Sequence, residues 1–392
     1  MPLGLYISVP FCRTKCTYCN FASDVFSRAV FERYVNRVRD DLSRARTIAA
    51  EVGGEFDDTA DTVYLGGGTP TVLDSHQLQH MFVTIRQNFC LQSQAEITVE
   101  CAPGTLSADT IGTLIEAGVN RVSLGVQSFV DAEAASVGRL HKREIVFEEM
   151  ARLRESGISN INVDLIAGLP HQSGESWASS ITEVIDSGVP HVSVYMLEID
   201  EESRLGRELI AGGTRYHAHT VPDEDLTADF YLMACERLNS AGIKQYEISN
   251  FARSGRQSRH NLKYWTRQPY MGFGVDAHSM LRGSGDFESV RLSTADALEQ
   301  YVAGTDCKRT FVSPQQALEE AFFLGLRLNQ GVNLETTQDQ FGGSPVAAYW
   351  PIIQELINDG LLEQRASKIR LSSRGRLLSN EVFEKFVLQK VT

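Results

Sequence analysis

Three of the chain's seven cysteines fall within eight residues, as Cys12, Cys16 and Cys19 in the stretch CRTKCTYC. Thiols spaced C-x3-C-x2-C suit three readings: half of a zinc site, unrelated core thiols, or ligands of an iron–sulfur cluster. Structural zinc is closed by four Cys or His ligands, yet the first histidine in the chain is His76, and Asn20 and Phe21 follow Cys19. A cuboidal 4Fe-4S cluster normally takes four thiolates. With three, one iron is left open for another ligand. A second feature is Gly66-Gly67-Gly68-Thr69-Pro70 after the apolar run Thr62-Val63-Tyr64-Leu65. Glycines at a strand end let backbone amides and carbonyls approach a ligand with no Cβ in the way, and the same run also suits an ordinary tight turn. It is not a phosphate loop: no Gly-Lys-Ser/Thr follows, and the G-x-G-x-x-G spacing is absent.

These residues need a scaffold, and the pattern around them predicts one. Short apolar, β-branched runs at 5–9, 62–65, 97–100, 121–124, 161–165 and 192–195 read as strands. Helical periodicity fills 28–50, 75–89, 107–117, 142–156 and 174–187 between them, the last opening on the cap Ser173-x-x-Ser176. Strands joined by helical crossovers run parallel, in an open sheet or an incomplete barrel with functional loops at the strands' carboxyl ends. After residue 200 the alternation stops. A polar stretch with Gly212-Gly213, His217 and His219 reads as a loop, and a helix is expected over 226–241. From Ser313 the chain turns helical again and ends on Leu361-Leu362, Ile369-Arg370-Leu371 and a Ser-Ser-Arg-Gly turn, as in a small winged-helix-like unit. The expected division is 1–205, 206–310 and 311–392.

Composition bounds the rest. The chain has 392 residues, 42% of them hydrophobic, enough for one large core and a smaller one, since single cores stop growing beyond roughly 250–300 residues. A net charge of −13 with no Lys/Arg cluster argues against a nucleic-acid partner. No stretch has the length of a membrane span, and the amino terminus lacks a secretory pattern. Cys90, Cys101, Cys235 and Cys307 are scattered and the cysteine total is odd, which argues against a disulfide framework. The expectation is a cytoplasmic protein with reduced thiols.

The cysteine spacing after the first strand, the glycine run after the second and the six β/α units together resemble the radical S-adenosylmethionine (SAM) superfamily. The resemblance implies a partial, TIM-like (β/α)6 barrel of class α/β, with a smaller carboxy-terminal α+β domain. In that superfamily the open iron of a 4Fe-4S cluster chelates SAM. Further stretches, Gly125-Val126-Gln127-Ser128-Phe129, Gly138-Arg139-x-His141 and Asp164-Leu165-Ile166-x-Gly168-Leu169-Pro170, resemble the oxygen-independent coproporphyrinogen oxidase family and its heme-chaperone relatives. By that resemblance Tyr6, Gly67, Gly68 and Thr69 contact the methionine part of SAM and Tyr18 its adenine. Glu100, Gln127, Arg139 and Asp164 take the ribose and carboxylate, and Cys12, Cys16 and Cys19 the cluster.

Two departures favour the heme-chaperone branch. Phe21 stands where the oxidases carry a further cysteine, and the first strand begins by residue 4 or 5, where those enzymes carry an amino-terminal arm. A third feature agrees: His260-Asn261-Leu262-Lys263-Tyr264-Trp265 matches the H-N-x-x-Y-W motif of that branch, which is associated with heme. Its imidazole suits iron, and Tyr264 and Trp265 suit a porphyrin face. A buried His-Asn network with aromatic packing fits the same residues. His260 and Tyr264 share a side whether the segment is helical or extended, and His278 offers a second histidine for the SAM pocket or the heme. The resemblance thus implies a chaperone that binds cluster, SAM and heme and passes heme to acceptor hemoproteins. It also implies an electron donor such as a flavodoxin or ferredoxin, and leaves room for peripheral membrane association. The alternatives are anaerobic coproporphyrinogen decarboxylation and radical methylation or cyclopropanation.

Overall fold

The computed structural model describes residues 1–283, 287–305 and 307–387. Six parallel strands form its centre: β1 (Leu3–Val9), β2 (Thr59–Gly67), β3 (Cys90–Cys101), β4 (Arg121–Gln127), β5 (Asn160–Ala167) and β6 (His191–Met196). Helices Arg28–Ser43, Ser75–Asn88, Ala108–Glu116, Arg143–Glu155 and Gly174–Asp186 make the crossovers. The chain is thus an α/β partial barrel, one of the two arrangements its periodicity leaves open and the one its resemblance implies.

Alternation along the strands explains how the barrel is filled. In β4 and β5, Val122, Leu124, Val126, Ile161, Val163 and Leu165 point outward and are buried in the main apolar core under the helices. The intervening Arg121, Ser123, Gln127, Asn162 and Asp164 line an interior cavity. A period of two therefore separates a hydrophobic outer face, which drives folding by burial, from a polar inner face kept for a ligand.

Helix ends follow from local chemistry. Ser173 accepts from the backbone N–H of Ser176 while the Ser176 side chain returns to the Ser173 backbone, and Asp74 with Gln77 and Ser313 with Gln316 form the same reciprocal cap. The stretch expected to be one helix over 28–50 is two, because Arg44 leaves helical geometry (φ −97°, ψ 4°) between Arg28–Ser43 and Ala45–Glu51. No Gly or Pro marks that break. The stretch read as a Ser-Ser-Arg-Gly turn is instead a helix start: Ser372 caps Ser373–Leu377 through the N–H of Gly375.

The segment 206–310 is not a separate connection. It supplies β7 (Lys244–Gln245), β8 (Asn250–Ala252), β9 (Tyr270–Phe273), β10 (His278–Arg282), β11 (Ser289–Ser293) and β12 (Lys308–Val312), all in the same twelve-stranded sheet. β9 pairs parallel with β1, and β10 to β12 continue antiparallel beyond it, whereas β8 and β7 extend the β6 edge. Part of the polar 201–225 stretch also folds, as the helix Arg204–Ala211.

The carboxy-terminal lobe has its own core, in which Phe322 and Phe386 stack at 4.9 Å between centroids beside Tyr349. Its small sheet contains β13 (Val332–Asn333), β14 (Leu362–Arg365) and β15 (Lys368–Leu371). Glu320, on the lobe's first helix Pro314–Leu326, binds Arg267 and Arg291 of the sheet side, each at 2.9 Å. Among the described residues no helix is long and apolar enough to cross a membrane.

Candidate functional site

The cysteine loop lies at the carboxyl ends of the parallel strands and is pinned by backbone bonds. Cys12 N–H donates to Asp24 O (3.0 Å), Thr17 N–H to Val137 O (3.1 Å) and Leu205 N–H to Thr17 O (2.9 Å). The glycine run docks directly on it: Gly68 N–H donates to Val9 O and Thr69 N–H to Phe11 O, both at 2.8 Å. Gly67 is left-handed (φ +103°), and a Cβ on Gly68 would meet Phe11 O at 2.8 Å, Val9 O at 2.9 Å and Cys12 Sγ at 3.0 Å. The glycines are required there because the backbone of the cysteine loop occupies the space of a side chain.

Cys12, Cys16 and Cys19 are free and half-buried, and they open into one cavity of about 670 Å³. Tyr18, Gly67, Gly68, Thr69, Glu100, Gln127, Arg139 and Asp164 line the same cavity. All of these residues, expected separately along 150 residues of sequence, converge on one space. Burial raises the Cys12 and Cys19 thiols above their ordinary range, a cost that a bound cationic centre reverses by holding thiolates. Arg139 reaches over the loop, donating through Nη1 to Cys16 Sγ at 3.6 Å and through Nη2 to Gly125 O. Gln127, at a bulge between β4 and β5, is left-handed at φ +69°, which swings the strand end toward the cavity.

The residues fit a 4Fe-4S cluster on their donor chemistry. Three free thiols of one loop open into the cavity, and its one lining histidine, His141, has Nε2 bonded to Val126 O at 3.2 Å. A single zinc at about 2.3 Å from each sulfur would draw the sulfurs to roughly 3.8 Å of one another. A cluster, with each thiolate on a different iron, needs them further apart.

Glu100 is held at both carboxylate oxygens. Tyr64 Oη donates to its Oε1 at 2.7 Å and Gly67 N–H to its Oε2 at 3.2 Å. Burial, followed by the nearby Asp164 charge, nevertheless pushes it up to about 7. Asp164 is also raised by burial, although Ser123 Oγ (2.9 Å) and Asn162 Nδ2 (2.8 Å) both donate to it. Asn162 passes the network on to His191 Nδ1 at 2.5 Å, and His191 Nε2 reaches Tyr246 Oη at 2.9 Å.

Arg121 sits among these groups only 2% exposed, with no hydrogen-bond partner for its Nε among the described residues. Tyr64, Arg121, Ser123, Asn162 and Ser193 belong to the site but escape the motif reading. For all but Tyr64, which is on β2, the signal is the period-two run of polar residues on β4 to β6, which marks a polar face without saying what it faces.

A second cavity of about 470 Å³ adjoins the first, sharing Phe21, Ser23, Gly67, Gly68 and Glu100 as a common wall. Tyr6, Tyr264, Trp265 and His278 line it. His260 does not. It is fully buried at the amino end of the helix Arg259–Trp265, with Nδ1 bonded to Thr62 Oγ1 and Nε2 to Tyr264 Oη, both at 2.8 Å. Burial, then Lys263, lowers it to about 3. Both ring nitrogens are thus engaged inside the protein, so of the two readings of His260 this conformation has the buried, hydrogen-bonded one, and the imidazole is not free for the heme contact that the resemblance implies. The helix itself is seated by Glu96, which accepts from the N–H groups of Arg259 (3.1 Å) and His260 (3.0 Å). Glu96 is another residue that the motif reading missed.

Comparisons with known proteins agree with this geometry. The radical SAM superfamily model matches residues 6–184, and the HemN C-terminal domain model matches residues 312–378. The heme chaperone HemW of Lactococcus lactis is 32% identical over 100% of this chain and 98% of its own length. That of Bacillus subtilis is 34% identical, over 97% and 98%. Among solved structures, the coproporphyrinogen III oxidase HemN of Escherichia coli superposes with a TM-score of 0.82, covering 98% of this chain and 90% of that one. At 23% identity it shares the fold. A radical SAM fold implies a 4Fe-4S cluster and SAM, and the cavity around Cys12, Cys16 and Cys19 has the donors for both. With relatives of this identity along its full length, the chain belongs to the HemW family of the radical SAM superfamily.

Proposed function

We propose that the protein is a heme chaperone, which binds a 4Fe-4S cluster and SAM at the cysteine loop, takes up heme beside them and passes it to acceptor hemoproteins. The observation that carries this reading is the pair of adjoining cavities, one holding the three thiols and the other walled by Tyr6, Tyr264, Trp265 and His278. When bound, the cluster supplies an electron and an open iron position for SAM. This chain's residues do the holding: Gly67, Gly68 and Thr69 offer backbone beside Cys12, Arg139 covers Cys16, and Glu100 and Asp164 offer carboxylates to a sugar's hydroxyls.

Phe21 favours chaperoning over coproporphyrinogen decarboxylation. It stands where the oxidases have a further cysteine, and it is 65% exposed on the wall between the cavities. An apolar ring there covers surface and donates no proton. The reading is tested on one anaerobically reconstituted sample: heme is titrated by its Soret band, and coproporphyrinogen consumption is followed with reductant and SAM present. Heme binding and transfer to an apo-hemoprotein without coproporphyrinogen loss is the expected result. Sustained decarboxylation would overturn it.

A further inference from the structure

The second cavity has the chemistry of one particular cargo. Heme is a flat apolar disc with two carboxylates on one edge and an iron that takes a nitrogen or sulfur ligand along its axis. Building on the heme-chaperone reading, we propose that this cavity is the heme site, with His278 as the iron's axial ligand, and that His260 acts behind it as a positioning residue for Tyr264.

His278 opens β10 and is 64% exposed at its side chain, its closest ionic neighbour being Asp276 Oδ1 at 3.7 Å from Nε2. Its ring therefore meets a ligand without breaking an internal bond, unlike that of His260. Its place is nonetheless rigid. The loop before it is bolted to β1: Tyr34 Oη donates to Ser8 O at 2.5 Å and accepts from Val275 N–H at 3.1 Å, and Ala277 N–H donates to Thr294 Oγ1 at 2.8 Å. Gly272, paired with Tyr6 in the sheet, has no room for a Cβ because the backbone of His278 lies against it. The His278 backbone thus lies directly over Gly272 beside Tyr6, which fixes the point from which its ring projects at the cavity wall.

The cavity's far edge carries charge. Met280 pairs with Tyr270 on one side and Arg291 on the other, so these three share a row across β9 to β11. Arg291 and Arg267, which line the cavity, share the single carboxylate of Glu320, each at 2.9 Å, so two guanidinium groups meet one carboxylate at this edge and can donate to a propionate, although Asp276 and Glu100 also line the cavity. Trp265 lines the same wall with its Nε1 buried and unpartnered among the described residues. His260 does not touch the cavity; through its bond to Tyr264 Oη it fixes the ring of Tyr264, which does.

The full-length, cluster-loaded protein tests this with heme itself. His278→Ala is expected to weaken heme binding roughly tenfold or more, since even outer partners of a metal ligand cost about 10- to 100-fold, and to remove the signature of nitrogen ligation from the Soret band and the EPR spectrum. Free imidazole should restore that signature, which a merely structural loss would not allow. His260→Gln should retain nitrogen ligation at reduced affinity, and heme dimethyl ester should bind more weakly than heme to the wild type. Unchanged ligation in the His278→Ala variant, with iron–sulfur content intact, overturns the site while leaving the chaperone reading in place. Failure of the wild type to bind heme overturns both.

Discussion

Glu100 carries a pH signature of its own. Its carboxyl is raised from an ordinary 4.5 to about 7, so between those values the folded protein keeps a proton that the unfolded chain has released. The sign follows from linkage: this group's contribution is complete below about pH 4.5 and is lost as pH rises through about 7. His260 and His141, lowered by burial to about 3 and about 4, act in the opposite sense. They are common to wild type and variant, so the difference between the two isolates Glu100. Without ligand, Glu100→Gln is expected to gain about 1–3 kcal/mol on wild type between about pH 5 and about pH 8, read from urea midpoints at both. Parallel pH curves for the two proteins would refute the burial argument. The thiols give a simpler outcome. Replacing Cys12, Cys16 or Cys19 with Ala should remove iron, labile sulfide and the brown colour but leave far-UV circular dichroism unchanged, because the three lie in a loop outside the strands. Undiminished iron and sulfide in the triple variant would remove the cluster assignment.

Glycines separate the strand-end loop from an ordinary helix. Gly68 faces backbone oxygens and Cys12 Sγ, which cannot yield to a methyl group, whereas Gly112 in the helix Ala108–Glu116 has nothing within 4 Å of its Cβ position. Gly68→Ala should therefore displace the cysteine loop and lower iron–sulfur loading severalfold at near-normal secondary structure. Gly112→Ala should do the reverse, leaving loading intact and stabilising the fold by about 0.5–1 kcal/mol through helix propensity. Equal iron content in the two variants would show that the glycine run does not seat the loop. The helix Arg259–Trp265 illustrates a different dependence. At seven residues it is too short to persist alone, and it is held by Glu96, Thr62 and the Lys263–Asp61 bridge at 2.7 Å.

The two cores are joined by hydrogen bonds between 245–248 and 327–329, by Ile248 packed in the lobe's core, and by charge. Glu320 joins the carboxy-terminal lobe to Arg267 and Arg291, and Arg327 lies 4.2 Å over the Trp265 ring. Glu320 is 9% exposed, so removing its charge leaves two guanidinium groups without their anion in a poorly solvated seam. Glu320→Gln is expected to cost about 3 kcal/mol and to hasten proteolytic cleavage between sheet and lobe, while His278 and the cysteine loop stay folded. An unchanged digestion pattern and midpoint would mean that the apolar packing and the hydrogen bonds between 245–248 and 327–329 hold the lobes together without Glu320.

Local chemistry by itself determined much of this protein. Cys12, Cys16 and Cys19, the glycine run, the six parallel strands and the Ser173 cap are legible because turn geometry, strand alternation and capping each depend on residues a few positions apart. The polar period on β4 to β6 is also in the sequence, but it is a pattern without an address and the motifs pass over it. Tertiary structure alone decided the rest. It made β9 to β12 part of the main sheet, set the two cavities side by side, and turned His260 inward and His278 outward. The reason is distance along the chain. His260 is settled by Thr62 and Glu96, 198 and 164 residues away, and the motif H-N-x-x-Y-W holds no trace of either. A short motif states which side chains stand together on a helix, but the partners that bury one and expose another come from the packing of the whole sheet.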